Sequence, residues 1–67
     1  MADAKLGDEI LAVLTYEWQS TEEIYEKHFA LRYSWLQVRN KFARLAWESK
    51  IEKKSSKGAE RWYRRRS

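Results

Sequence analysis

Four polar and basic side chains between residues 37 and 44 could bind a ligand that combines negative charge with hydrogen-bonding edges. Val38, Phe42 and Leu45 recur at helical spacing, so this segment is predicted to be a helix with one apolar stripe. The side of the helix opposite that stripe collects four of the segment's polar side chains; they are Gln37, Asn40, Lys41 and Arg44. An amide or a guanidinium group can form two hydrogen bonds with one planar edge, and Lys supplies a point charge.

Positive charge is concentrated in the second half of the chain. Residues 31–67 contain twelve Lys and Arg against three Asp and Glu, a net charge of +9, whereas residues 1–30 carry −5 and the whole chain +4. Such a field attracts polyanions, and its interleaved Trp and Tyr residues suit nucleic acid. Further candidates for phosphate contact are Lys53, Lys54 and Lys57 in a predicted hairpin, and Arg64, Arg65 and Arg66 after it. Nucleic acid is therefore the first partner that the sequence predicts.

Composition argues against most other functions. The 67 residues suffice for one small domain, no Cys is present, and the single His28 cannot build a metal site without several carboxylate partners. No local motif supplies a nucleophile with its base, so we expect no enzyme activity, cofactor, metal or small-molecule substrate. The longest apolar run, residues 10–14, is far shorter than the roughly 20 residues that span a bilayer. The chain is predicted to be soluble and intracellular, in the cytoplasm (nucleoid) or the nucleus, without membrane contact.

Three helices are predicted in the first fifty residues. Their predicted bounds are about residues 7–17, 21–28 and 35–49. The first has apolar residues at helical spacing and acids in its first turn. The second follows a capping box in which Ser20 and Glu23 cap each other's backbone, and Ser34 and Gln37 form a second box before the third helix.

The chain beyond residue 50 has the pattern of a β-hairpin. Strand-forming residues flank a turn-prone segment within residues 51–64, and a basic tail occupies 64–67. The alternation of side chains along a strand predicts that Ile51 and Trp62 face the core. The faces of Lys53 and Tyr63 depend on the register of the two strands, which the sequence does not fix. The aromatic residues predicted to lie in the core are Trp18, Phe29, Phe42 and Trp62.

Three helices followed by a charged hairpin, in an α+β domain that is mostly α, resemble the winged helix-turn-helix family. The resemblance covers nearly the whole chain, and its most specific part is the core spacing Val38, Phe42, Leu45, Ile51. In that family the third helix enters the major groove of DNA and the wing reaches a neighbouring groove or phosphate. The resemblance therefore implies duplex DNA as partner, with helix three as the reading element.

Two features depart from the compact members of that family. The link between the second and third helices, residues 29–33, is longer, and Ser49 and Lys50 stand before Ile51 where a Gly would be usual. The longer link bears directly on where helix three is placed.

A second, thinner apolar stripe on helix three leaves an alternative open. Leu36, Ala43 and Trp47 share one side of the helix, about 180° from Val38. Trp47 could fold under the hairpin as part of the core, contact a protein partner or a second copy, or touch nucleic acid. An exposed apolar stripe is typical of a protein-interaction site.

The main hypothesis is a small double-stranded DNA binder, a transcriptional regulator, that reads DNA with helix three and uses the hairpin as its wing. Its rival is the same fold used as a protein-interaction module through Leu36, Ala43 and Trp47, and a fold alone cannot decide between the two. The alternative for the basic side chains is that they are only solvated and bind no ligand. The absence of acids from residues 32–47 favours binding, since a merely solvated face usually mixes both signs of charge.

Overall fold

The computed structural model describes residues 2–55 and 61–66. Within them the chain forms three helices and a three-stranded antiparallel sheet, an α+β arrangement that is mostly helical, as predicted. The elements are α1 (Ala2–Val13), β1 (Gln19–Ser20), α2 (Thr21–Ile24) continued by a π-helical turn (Tyr25–Phe29), α3 (Trp35–Trp47), β2 (Ile51–Ser55) and β3 (Arg61–Arg65).

The core lies where the apolar stripes of the helices meet the inner face of the sheet. Its members are Leu6, Ile10, Leu14, Ile24, Phe29, Val38, Phe42, Leu45, Ile51 and Tyr63. The rings of Phe42 and Tyr63 stack with their centroids 4.7 Å apart, which joins α3 to β3. The predicted core positions of Phe29 and Phe42 are therefore confirmed.

The predicted bounds of the first helix, 7–17, are wrong at both ends. The helix begins at Ala2 and ends at Val13. Arg65 explains the early end, because its backbone N–H donates to the carbonyl of Thr15 at 2.7 Å and its Nε donates to that of Leu14. These carbonyls thus bond to β3 instead of to a further helical turn.

The second helix starts where the sequence predicts but does not stay α-helical. The Ser20 hydroxyl accepts a hydrogen bond from the Glu23 N–H, the only half of the predicted capping box that forms. The chain then widens into the π turn, which ends at Phe29, one residue beyond the predicted helix end at 28. The link that follows closes through backbone bonds from Arg32 and Tyr33 to the Phe29 carbonyl.

A polar contact fixes this longer link against α1. Glu9 accepts hydrogen bonds from the hydroxyl of Tyr33 at 2.7 Å and from the guanidinium of Arg32. The hydrogen bond from Tyr33, followed by that from Arg32, lowers the pKa of Glu9. The bond between Tyr33 and Glu9 also raises the pKa of Tyr33. The link is thus held immediately before the start of α3.

Both ends of α3 are capped. The Ser34 hydroxyl accepts from the Gln37 N–H at 3.2 Å and the Gln37 side chain accepts from the Ser34 N–H, so the predicted capping box is complete. The helix ends at Trp47, not at residue 49, because Ser49 adopts a left-handed backbone with φ of 63°. Backbone bonds from Ser49 to Ala46 and from Lys50 to Leu45 form a Schellman motif.

The sheet differs from the predicted hairpin in two respects, its number of strands and the aromatic residue that faces the core. Its strand order is β1, β3, β2, so Gln19 and Ser20 supply a third strand beside the predicted hairpin. Lys53 pairs with Tyr63 and Lys54 with Trp62, and Tyr63 is the one that faces the core. Trp62 points to the opposite face because neighbouring residues of a strand alternate.

Trp18 and Trp62 are therefore half-buried on the outer face of the sheet and not in the core. Trp18 lies under two cations, with the Lys54 ammonium 4.8 Å and the Arg64 guanidinium 4.4 Å from its ring centroid. Arg64 also pairs with Glu52, its cross-strand neighbour. Packing against charged side chains thus shields these two indoles from solvent.

Candidate nucleic-acid interface

The four polar residues selected on helix three come together in the structure. Gln37, Asn40, Lys41, Arg44 and Glu48 line one open concavity of about 490 Å³ on α3. Helical spacing accounts for the grouping, since residues three, four and seven apart share a side of a helix. The concavity therefore presents two amides, two cations and one carboxylate together.

The members of this group differ in how far the protein itself holds them. Gln37 is engaged in the cap of α3, and Arg44 donates to Glu48 at 3.2 Å. Lys41 is half-buried and crosses α1 at Gly7, where an added Cβ would stand 2.9 Å from its Cε. The exposed side chain of Asn40 has no hydrogen bond within the described residues, so its amide is available to a ligand.

Glu48 is the acid that lines this concavity. Its carboxylate lies 3.2 Å from Arg44 Nε and 3.6 Å from Lys50 Nζ. The hydrogen bond from Arg44, helped by the charge of Lys50, lowers the pKa of Glu48, so it stays ionised at neutral pH. Because two cations surround it, its negative charge is locally compensated.

The hairpin residues divide between the two faces of the sheet. Lys53 and Lys54 are both exposed on β2, Lys53 on the face of Tyr63 and Lys54 on the outer face over Trp18. Lys57 lies outside the described residues. The hairpin thus presents lysines in two directions.

The arginines at the end of β3 already have partners. Arg64 is paired with Glu52, and Arg65 holds the end of α1 through the carbonyls of Leu14 and Thr15. Arg66 donates to the carbonyl of Ser49 at 3.0 Å. A phosphate contact by Arg64 or Arg65 stays a prediction, and it would have to compete with these bonds.

Two arginines outside the predicted set lie near the Tyr63 side chain. Arg61 stands two positions before Tyr63 on the same face of β3, and Arg39 stands one helical turn before Phe42, on which Tyr63 stacks. Burial raises the pKa of Tyr63, while the nearby charges of Arg61 and Arg39 oppose the rise. Lys53 shares this face, and none of these three cations forms an ion pair within residues 2–55 and 61–66.

The sequence held a signal for this second basic group. If Tyr63 is assigned to the core, strand alternation places Arg61 on the same face of the hairpin. Arg39, three residues before Phe42 on the helix, then lies near the same side chain. The choice of Trp62 as the core residue concealed the group.

The second apolar stripe of helix three is exposed. Trp47 is 82% exposed and Leu36 57% exposed, while Ala43 between them is half-buried. Folding of Trp47 under the hairpin is therefore wrong, because α3 ends at Trp47 and the chain turns away through Ser49. A protein partner and nucleic acid remain as its two candidate occupants.

Comparison with protein-family models, with curated proteins and with solved structures finds no match to this chain. Among the residues that the structure describes, no helix has the length and apolar character needed to cross a membrane.

Proposed function

We propose that this protein binds double-stranded DNA as a winged helix-turn-helix module and acts in transcription regulation. In this proposal α3 enters the major groove and the β2–β3 hairpin lies against neighbouring phosphates. The observation that carries it is the open concavity of α3, where two amides and two cations lie together and the single acid, Glu48, is paired with Arg44 and Lys50. Asn and Gln suit adenine, Arg suits guanine, and Lys suits phosphate, so one helix face can both position and read a duplex.

The distribution of charge supports this orientation. The exposed acids Glu22, Glu23 and Glu26 belong to α2 and its π turn, whereas residues 32–47 contain no acid. A duplex is attracted to α3 and the hairpin and repelled by the acidic helices. A homodimer would allow two half-sites to be read, as in many helix-turn-helix proteins.

Fluorescence anisotropy with a labelled mixed-sequence duplex tests the proposal. We expect binding that weakens on the order of a thousandfold between 50 and 200 mM salt if about six phosphates are contacted. The variant Lys41→Glu/Arg44→Glu should abolish binding, because it places two acids in the concavity. The absence of binding at 50 mM salt would refute the proposal for duplex DNA.

A matched control separates a local effect from a change in net charge. Lys5 and Lys27 are exposed lysines on α1 and the π turn, outside the concavity. Lys5→Glu/Lys27→Glu changes the net charge by the same amount as the test variant, so it should retain most of the affinity. Circular dichroism on all three proteins checks that each remains folded. Equal loss in both variants would mean that only overall charge attracts DNA.

A second candidate function follows from the exposure of Trp47 and Leu36. A protein-interaction module would use the stripe Leu36, Ala43 and Trp47, and Trp47→Ala would then remove partner binding while DNA binding persists. Because Trp47 is mostly exposed, this substitution should leave the fold intact. If Trp47→Ala and Lys41→Glu/Arg44→Glu weakened DNA binding equally, the stripe would belong to the DNA surface.

A further inference from the structure

The outermost line of α3 carries three apolar side chains and one amide. At 100° per residue, Leu36, Asn40, Ala43 and Trp47 lie along one line that faces away from the core stripe of Val38, Phe42 and Leu45. Leu36 stands one turn before Asn40 and Ala43 one turn after it. The amide that is free to bind a ligand is therefore bracketed by two apolar side chains.

Cations border this line on both sides. On one side lie Lys41 and Arg44 of the concavity, and on the other lie Arg39 with Lys53 and Arg61 of the hairpin. A partner that fits must offer apolar and hydrogen-bonding groups in the middle and negative charge at both edges. The major groove of DNA has this form, with base edges between two phosphate backbones. A second copy of the same face would bring like charges together.

We propose that α3 selects A·T base pairs, with Asn40 bound to the edge of one adenine and with Leu36 and Ala43 against the methyl groups of neighbouring thymines. This inference rests on the proposed binding of duplex DNA and names the sequence class that it favours. Adenine offers the N6 donor and N7 acceptor that an amide matches, and the thymine methyl is the apolar group of the major groove.

The spacing along the helix agrees with the spacing of base pairs. Leu36 and Ala43 are seven residues apart, which is about 10 Å along an α-helix at 1.5 Å per residue. Base pairs follow one another about every 3.4 Å, so the two apolar side chains are separated by about three steps. Asn40 lies between them, so one adenine and thymines within about three steps can be contacted together.

Competition binding with three duplexes of equal length tests the inference: alternating A·T, alternating G·C, and the A·T duplex with deoxyuridine in place of thymidine. The A·T duplex should bind about 5- to 150-fold more tightly than the G·C duplex, the range expected for one bidentate amide–adenine contact. Uracil lacks the methyl group, so that duplex should bind a few-fold more weakly than the thymine duplex. Since the methyl lies in the major groove, a preference arising in the minor groove would not show this loss.

Two variants assign the effects to residues. Asn40→Ala should remove most of the preference for A·T over G·C, and Leu36→Ala should remove the difference between thymine and uracil. Both should keep the steep salt dependence, because neither changes a charge. Both residues are exposed, so circular dichroism should show an unchanged fold.

The outcomes distinguish a failure of A·T selection from a failure of duplex DNA binding. Equal affinity for A·T and G·C duplexes with steep salt dependence would overturn the inference and leave duplex binding standing. No binding to any duplex would overturn both. A free protein that is a dimer and becomes a monomer on Leu36→Ala would place a second copy on this face, and that result also overturns the inference.

Discussion

Replacing Ser49 with Gly should stabilise the protein, because Ser49 holds a backbone conformation that favours Gly. Its φ of 63° closes the Schellman motif at the end of α3. A left-handed residue with a Cβ costs about 1–2 kcal/mol, and Gly avoids this cost but loses about 0.5–1 kcal/mol in backbone entropy. We therefore expect Ser49→Gly to raise the free energy of unfolding by about 0.5–1 kcal/mol.

Urea denaturation followed by circular dichroism measures this change, and a thermal scan should show a rise of about 4–8 °C per kcal/mol for a domain of this size. The hydrogen bond from Arg66 reaches the backbone carbonyl of Ser49 and so survives the substitution. Two controls fix the cause. Ser49→Ala should change little, since Ala also carries a Cβ.

Ser34→Gly makes the same chemical change at a position with φ of −74°, where the hydroxyl caps α3. It should lower stability by a few tenths of a kcal/mol. If Ser49→Gly left the free energy of unfolding unchanged or reduced it, or if Ser49→Ala had the same effect as Ser49→Gly, the strain assigned to Ser49 would be wrong.

Two further substitutions test the contacts of α1. Hydrogen bonds, the one from Tyr33 first, lower the pKa of Glu9 below its usual 4.5, so the carboxylate stabilises the fold above that pH and the contribution is lost as the pH falls through the lowered pKa. Thermal unfolding of Glu9→Gln at pH 7 and pH 3 should therefore show a smaller difference than the unsubstituted protein, and an equal difference would contradict the assignment. Gly7→Ala should stabilise α1 by about 0.5–1 kcal/mol, because Gly is unfavourable inside a helix. The new Cβ would meet only the flexible end of the Lys41 side chain; a loss of stability in urea denaturation would mean that Lys41 cannot move aside.

Local sequence signals predicted the helices well where the contacts that decide them are local. The capping box of Ser34 and Gln37 marked the start of α3 correctly, and the spacing of Val38, Phe42 and Leu45 identified its buried stripe. These features depend on residues within two turns of one another, so periodicity and capping chemistry suffice.

The errors arose where a distant residue decides the structure. The end of α1 is set by Arg65, about fifty residues away, and no pattern in the sequence near residue 14 predicts this contact. The choice between Trp62 and Tyr63 for the core depends on register, since a shift of one residue reverses the faces of a strand. The two-residue strand β1 is too short to carry a periodic signal.

In the candidate site, too, the residues grouped by local spacing were predicted and those grouped by tertiary structure were not. The grouping of Gln37, Asn40, Lys41 and Arg44 follows from the helical period alone, and the structure brings them together. Arg39 and Arg61 were missed because their approach joins two elements whose relative placement the sequence did not define. The internal bonds of Arg64 and Arg65 likewise required tertiary structure.

The central place of β3 in the sheet has a consequence for how the protein folds. Gln19 pairs with Tyr63 across 44 positions of chain, and β3 lies between β1 and β2. During synthesis, β1 can therefore pair only after β3 has been made. The carbonyls of Leu14 and Thr15 can be bonded only once Arg65 has been made. Closing a loop of this length costs conformational entropy, so we expect the pairing of β1 with β3 to form late in folding, after the helices and the local β2–β3 pairing.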